Sequence, residues 1–232
     1  MKGVILAGGQ GTRLRPLTYI TNKHLLPIGR KQMILYPLET LKQLGCTDIM
    51  LITGGEHIGH FSELLGDGSE YGVNLTYRVQ KEAGGIAQAL ALAEDFVDDK
   101  FWVILGDNLF EDKIANLKYA GTRIFLKKVD KPERFGVMNQ ETCRIEEKPV
   151  IAPSNWAVTG LYMYSKGIFD FIKNLKPSGR GELEITDVNN WCLSNPDKVG
   201  PVSVEELDGF WSDCGTFESI QACNEWIYGK VL

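Results

Sequence analysis

The sequence predicts an α/β fold, Rossmann-like and doubly wound, with a mostly parallel but mixed sheet and a smaller second subregion. Three observations predict it. Through the first half, strand-like apolar runs alternate with segments of helical periodicity. Those runs are continuously apolar, as expected of strands covered on both faces, rather than alternating. The second half then changes to closely spaced strands with short turns. With 232 residues, 44% hydrophobic and 24% charged, the chain is long enough for one such domain with a substantial core, and its composition is not that of a disordered segment.

The elements follow in order. Val4 to Ala7 is a compact apolar strand running into Gly8, Gly9 and Gly11. Ile34, Leu38 and Leu41 fall at helical spacing, and Gly45 is placed to stop that helix. Asp48 to Thr53 is a second strand; Ile58, Phe61 and Leu65 mark a short helix; Leu75 to Val79 is a third strand. Ile86, Ala89, Leu90 and Ala93 form the apolar face of the next helix, and Phe101 to Leu105 is a fourth strand. In the second half, Thr122 to Lys127, Val137 to Met138, Arg144 to Glu147 and Trp156 to Tyr164 read as strands, a platform of the size of a sugar. A helix carrying Ile168, Phe171, Ile172 and Leu175 follows, then a helix over Glu184 to Cys192, a strand over Val199 to Glu205, and a terminal helix over Phe217 to Tyr228 with Ile220, Cys223 and Ile227 inward. No linker composition divides the halves, and there are no repeats or low-complexity runs.

Composition also excludes classes of function. A formal charge of −5 argues against an electrostatic wrap of nucleic acid, while leaving room for a local cationic pocket. The five cysteines (Cys46, Cys143, Cys192, Cys214, Cys223) are odd in number and lack CxxC spacing. The N-terminus has neither a signal peptide's apolar core nor a membrane span. These features point to reduced thiols, no membrane partner and a cytoplasmic enzyme.

The candidate chemistry starts at the glycine loop. Gly8, Gly9 and Gly11 permit close backbone approach, and Arg13 and Lys23 add two cations around them, a pattern that suits a polyphosphate. A Walker loop is excluded because no Lys-Ser or Lys-Thr pair follows, and a dinucleotide fingerprint is incomplete because its third glycine position is Leu14. On glycine spacing alone, a plain strand-to-helix turn with solvated cations stays open. In doubly wound sheets ligands lie beyond the carboxyl ends of the strands, where this loop and Gly106-Asp107-Asn108 both fall. Asp107 suits either a turn cap or a Mg²⁺ ligand. Gln80, ending a strand, carries an amide complementary to the N3–H and O4 edge of thymine or uracil, and the Gly84-Gly85 pair allows backbone near a base or simply opens a helix. His57 and His60 lack a third ligand nearby, and no cysteine is assigned a role. Part of the set Trp156, Tyr162 and Tyr164 belongs to the core.

A series of ordered words then becomes specific: GVILAGGQGTRLRPLT, the Lys23 to Pro27 segment, YPLETL, LGDGSEYG, GGIAQAL, LGDNLF, PERFGV, EEKP, NWAVTGLYMY, RGELEITD and Trp211 to Asp213. Together they span nearly the whole chain and closely resemble the sugar-1-phosphate nucleotidyltransferases, above all the branch that joins dTTP to glucose 1-phosphate. The resemblance implies direct attack of the sugar phosphate on the α-phosphorus with release of pyrophosphate, and Mg²⁺ as cofactor. It implies one domain over residues 1–232, with 1–120 mainly nucleotide-binding and 121–232 mainly sugar-phosphate-binding. Arg13 is expected at the departing pyrophosphate, Lys23 at the triphosphate, Lys148 at the sugar phosphate, and Asp107 and Asp213 at the metal. Leu6, Ala7, Gly8, Gly9, Gly11, Thr12, Gln80, Gly85 and Asp107 are expected around the nucleotide. Asn108, Gly136, Glu147, Lys148, Thr159 and Tyr162 are expected around the hexose. Glu182 and Asp187 receive only supporting or helix-start roles.

Within this resemblance, a uridylyltransferase and a non-catalytic nucleotide-sugar sensor are the competing readings. The chain also departs from the family's larger form, which continues past the terminal helix, and its segment between LGDNLF and PERFGV is short. The expectation is weak or absent feedback inhibition and an assembly smaller than a tetramer, with a homodimer as the candidate.

Overall fold

The computed structural model describes residues 1–112, 114 and 121–230. The expected subregion boundary at residue 120, and part of the short segment before Pro132, lie outside the described residues. Among them, nine strands form one sheet. Its parallel half holds β1 (Lys2–Ala7), β2 (Asp48–Gly54), β3 (Asn74–Gln80) and β4 (Lys100–Leu105). The rest comprises β5 (Thr122–Lys128), β6 (Gly136–Asn139), β7 (Arg144–Glu147), β8 (Trp156–Ser165) and β9 (Val202–Glu206). The order is β7-β6-β8-β4-β1-β2-β3, with β5 paired to β8 and to β9. β1 runs parallel to both neighbours, with Val4 opposite Met50 and Val103. β8 runs antiparallel to β4, β5 and β6, whereas β9 is parallel to β5.

Both faces of β1, β2 and β4 are buried, which explains their unbroken apolar runs; the edge strand β3 departs from the expected pattern, being only partly covered and carrying Asn74, Thr76, Arg78 and Gln80. Residues alternate between two cores: Val4, Leu6, Met50, Ile52, Phe101 and Val103 face one, and Ile5, Ala7, Ile49, Leu51, Trp102 and Ile104 the other. The first core is closed by α3 (Ile86–Ala91), α4 (Ile168–Ile172) and α5 (Ile185–Ser194), the second by α1 (Leu35–Gln43) and α2 (Ile58–Leu65). A smaller cluster of Ile28, Met33, Leu109, Cys214 and Cys223 lies under the terminal helix Phe217–Gly229, which Thr216 and Ser219 open with a capping box.

Three predicted elements differ in extent. Val199 does not open a strand; it ends the short helix Pro196–Val199, and the strand begins at Val202. Gly200, at φ +77°, and Pro201, which has no N–H to donate, separate the two. The helix over Ile168 stops at Ile172, and Leu175 sits in the following turn, close before Pro177. Ala93 lies past α3 in hydrogen-bonded turns, although it remains fully buried in the first core.

Candidate active site

The carboxyl ends of β1, β3 and β4 open into a cavity of about 470 Å³, closed on the far side by β7, β8 and the start of α5. The glycine loop forms one wall. Gly11, at φ +64°, starts a tight turn in which Leu14 N–H donates to its carbonyl (2.9 Å) and Thr18 Oγ1 donates to the same oxygen (2.7 Å). A side chain there would also meet Thr18 and Lys23 at 2.9–3.0 Å, so conformation and space both require glycine.

Lys23 and Asp107 form a mostly buried ion pair on the cavity floor. Burial is the largest single influence on the Asp107 carboxyl and raises it, but the charge of Lys23 together with the hydrogen bonds from Lys23 and Asn108 holds the group below the usual carboxylate range. Asn22 anchors the segment: its Oδ1 accepts from His24 N–H (3.0 Å) and lies 2.6 Å from His24 Nδ1, while its Nδ2 donates to Ala7 O (3.4 Å). Burial and the neighbouring Lys23 push His24 down to about 3, so the imidazole is neutral and Nδ1 carries the proton that Asn22 accepts.

Asp213 reaches the same floor from the other end of the chain. After β4, Leu109–Phe110 pairs antiparallel with Trp211–Ser212, and this two-residue ladder brings Asp107 and Asp213 together. Asn108 locks the junction: its Oδ1 accepts from Gly160 N–H (2.9 Å) and Trp211 Nε1–H (2.7 Å), and its Nδ2 donates to Asp107 Oδ1 (2.9 Å). Asp213 is pushed up to about 6, first by burial and then by the negative charge of Asp107, with Arg134, Arg13 and Lys23 opposing. The nearest of these cations is Arg134, with Nη2 3.5 Å from Asp213 Oδ2. Two buried carboxylates in mutual repulsion suit a hard divalent cation, whose charge relieves that repulsion. No group of three or more His, Cys, Asp and Glu side chains gathers as a metal site among the described residues, so such an ion would complete its shell with phosphate and water oxygens.

Gln80 extends from the end of β3 over Gly8, its Nε2 donating to Gln88 Oε1 (2.8 Å) and Gly85 O (3.3 Å). Gly85, at φ +101°, leaves no space for a Cβ, which would lie 2.5 Å from Leu183 O.

The opposite wall is polar. Glu147 Oε2 accepts from Thr186 Oγ1 (2.5 Å), and its Oε1 accepts from Arg180 Nη2 (3.2 Å) and lies 3.7 Å from Lys148 Nζ. Arg180 also binds Glu184 through Nε (3.0 Å) and Nη2 (2.8 Å). Lys148, half exposed, sits at φ +44°, a left-handed conformation rare for a non-glycine residue. Thr159 Oγ1 is buried with no partner among the described residues and lines the cavity. Phe135 and Trp211 pack with their rings tilted at 57° and centroids 5.2 Å apart.

Of the residues expected from the sequence, Leu6, Gly8, Gly9, Gly11, Thr12, Arg13, Lys23, Gln80, Gly85, Asp107, Asn108, Gly136, Glu147, Lys148, Thr159, Tyr162 and Asp213 all line this one cavity. Ala7 does not: its methyl packs in the second core and its carbonyl accepts from Thr53 Oγ1 (3.2 Å) as well as Asn22. Asn108 is nearly fully buried and largely committed to holding Asp107 and Trp211. Sequence reasoning missed His24, Arg134, Phe135, Arg180, Glu184 and Thr186, all of which line the cavity; five of them sit inside the words PERFGV and RGELEITD, which were the available signal. Glu182 lines the cavity 3.6 Å from Arg180, and Asp187 sits in the first turn of α5.

A family model described as nucleotidyl transferase matches residues 2–228. A relative from Neisseria meningitidis serogroup A, named glucose-1-phosphate thymidylyltransferase, is 46% identical over 95% of this chain and 80% of its own length. A solved Bacillus anthracis protein, provisionally named a glucose-1-phosphate thymidylyltransferase and holding sucrose, is 53% identical, with a TM-score of 0.89 over 97% of this chain and 94% of its own. A UDP-glucose pyrophosphorylase solved with UDP-glucose is 26% identical, with a TM-score of 0.83 over 99% of this chain and 98% of its own.

Proposed function

Because the chain belongs to the nucleotidyl transferase family, we propose that it transfers a thymidylyl group from dTTP to glucose 1-phosphate, releasing pyrophosphate. One observation carries this reading: a single cavity has a glycine loop with Arg13 and Lys23 on one wall and a hydroxyl- and carboxylate-rich wall with Lys148 on the other. Joining a phosphate dianion to a polyanion is a problem of repulsion and positioning, which asks for cations and a rigid loop and needs no protein nucleophile.

In this reading Arg13 receives the departing pyrophosphate and neutralises its growing charge, and Lys23 holds the triphosphate near the reacting phosphorus. Lys148 holds the sugar phosphate; its compact ammonium suits a moving oxygen better than a fixed fork does. Gln80 reads the pyrimidine edge above Gly8, and Glu147, Thr159 and Tyr162 take up the hexose hydroxyls. Asp107 and Asp213 would hold a divalent cation, Mg²⁺, which when bound supplies charge neutralisation to phosphate oxygens. Nucleotide and sugar phosphate are the partners, and a cytoplasmic homodimer is the form proposed. No helix among the described residues is long and apolar enough to cross a membrane.

The discriminating experiment is Asp107→Asn, assayed for turnover and for nucleotide binding separately. Turnover should fall by about two to three orders of magnitude, a range typical of losing an electrostatic stabiliser. Nucleotide should still bind. Turnover within a few fold of the parent chain would contradict the assignment and favour a sensor without chemistry.

A further inference from the structure

The two carboxylates on the cavity floor already have cationic partners from other elements. Asp107 Oδ2 is held by Lys23 from the glycine-loop side, and its Oδ1 accepts from Asn108. Asp213 Oδ2 faces Arg134, from the turn that precedes β6. An entering divalent cation therefore competes with Lys23 and Arg134 for the same oxygens. A triphosphate offers both cations other anionic oxygens, and Arg134 is free to follow because it lines the cavity and is about one-third exposed, 31%.

We propose that Arg134 is a placeholder cation on Asp213, as Lys23 is on Asp107, so that the divalent cation and the nucleoside triphosphate enter the site together rather than independently. The inference rests on the nucleotidyl-transfer reading only for its nucleotide arm. Arg134 is a positioning residue in this scheme: it tunes metal affinity by occupying Asp213. The exchange is one of ion pairs, with no bond made or broken. Reciprocity requires that whatever factor nucleotide adds to metal affinity, metal adds to nucleotide affinity.

The test is titration of the full chain with Mn²⁺, followed by the paramagnetic signal of the free ion, with and without dTTP and with no sugar phosphate present. The parent chain should bind Mn²⁺ weakly alone and much more tightly with dTTP. Arg134→Ala should tighten nucleotide-free Mn²⁺ binding by at least about fivefold, the scale of one unit charge at this separation when fully screened by water. The coupling between Mn²⁺ and dTTP should shrink in the same variant. Arg134→Lys, which keeps the charge, should restore most of the parent behaviour. A merely structural role for Arg134 predicts the opposite sign, since loosening the floor weakens metal binding. Unchanged or weaker nucleotide-free Mn²⁺ binding in a folded Arg134→Ala or Arg134→Gln protein overturns the proposal. So does equal Mn²⁺ affinity of the parent chain with and without dTTP. Failure of dTTP to bind overturns the functional reading and the coupling, while the nucleotide-free comparison still decides whether Arg134 masks Asp213.

Discussion

Gly8→Ala isolates the contribution of Gln80 to base recognition. A Cβ on Gly8 would lie 2.5 Å from Gln80 Oε1, and the next nearest atom, Gln80 Cδ, would be at 3.7 Å. The conflict is therefore with the tip of one side chain. The Gly8 backbone lies outside the left-handed region, so alanine is conformationally acceptable there. To reach an ordinary contact the Gln80 amide must withdraw by about 1 Å, leaving Gln88 and Gly85 and losing the pyrimidine edge. Two neutral hydrogen bonds at about 0.5–1.5 kcal/mol each give about 1–3 kcal/mol, or roughly 5- to 150-fold in kcat/KM for dTTP. Stability should fall by no more than about 2 kcal/mol, because the lost bonds from Gln80 to Gln88 and Gly85 are partly offset by the reduced entropy of the unfolded chain, about 0.4–1 kcal/mol. The assay is steady-state kinetics in dTTP at saturating sugar phosphate, with a thermal melt as control. Crowding of the triphosphate is separated by a double-mutant cycle: in a Gln80→Ala background the Gly8→Ala substitution should cost less than about threefold more. A full additive penalty in that background, or wild-type dTTP kinetics for Gly8→Ala, would refute the placement of Gln80.

Three further outcomes follow from the opposite wall. Lys148→Ala should lower kcat/KM for the sugar phosphate by about 10- to 100-fold, the scale of one charge-assisted contact, while leaving triphosphate binding nearly intact; a selective loss of triphosphate affinity would contradict its position. Because Lys148 sits at φ +44°, Lys148→Gly should be more stable than Lys148→Ala by about 1 kcal/mol in chemical denaturation, reversing the usual order of these residues. Glu184 is subject to burial, which raises its carboxyl, but its hydrogen bonds from Arg180 and Ser178 hold it below the ordinary 4.5. A carboxylate depressed in the folded state stabilises above its unfolded pKa and loses that contribution as pH falls through the folded one. Glu184→Gln should therefore be less stable than the parent by about 1 kcal/mol at pH 7, and the gap should begin to close below pH 4.5. A gap independent of pH would assign the effect to packing.

The centre of the parallel sheet was readable because β1, β2 and β4 are buried on both faces, so Val4 to Ala7 and Phe101 to Leu105 leave no polar position to confuse the pattern, whereas the edge strand β3 is only half-buried and carries polar residues. Val199 was misplaced because a buried valine looks the same at a helix end and in a strand; the Gly200-Pro201 pair between them carried the correction. Gly8, Gly11 and Arg13 were legible as one loop beyond the carboxyl end of β1, where they line the cavity, but the meeting of Asp107 with Asp213 was not derivable from local pattern. It depends on a two-residue antiparallel ladder joining segments about 100 residues apart, too short to leave a periodic signal. Resemblance supplied that pair. Arg134 and Arg180 escaped attention because an arginine in a loop is ordinarily solvated, and only tertiary partners, Asp213 and Glu184, distinguish them. Ala7 was included in the site by its place in the loop motif, yet the alternation of β1 turns its side chain into the second core.

The central claim is tested most directly by pyrophosphate release from the purified chain with glucose 1-phosphate and Mg²⁺, comparing dTTP, UTP, CTP, ATP and GTP at equal concentration. The account predicts release with dTTP, with UTP as the closest competitor since it shares the edge that Gln80 reads, and far slower release with CTP and the purine nucleotides. Release fastest with a purine nucleotide, or none with any triphosphate while dTTP still binds, would contradict it.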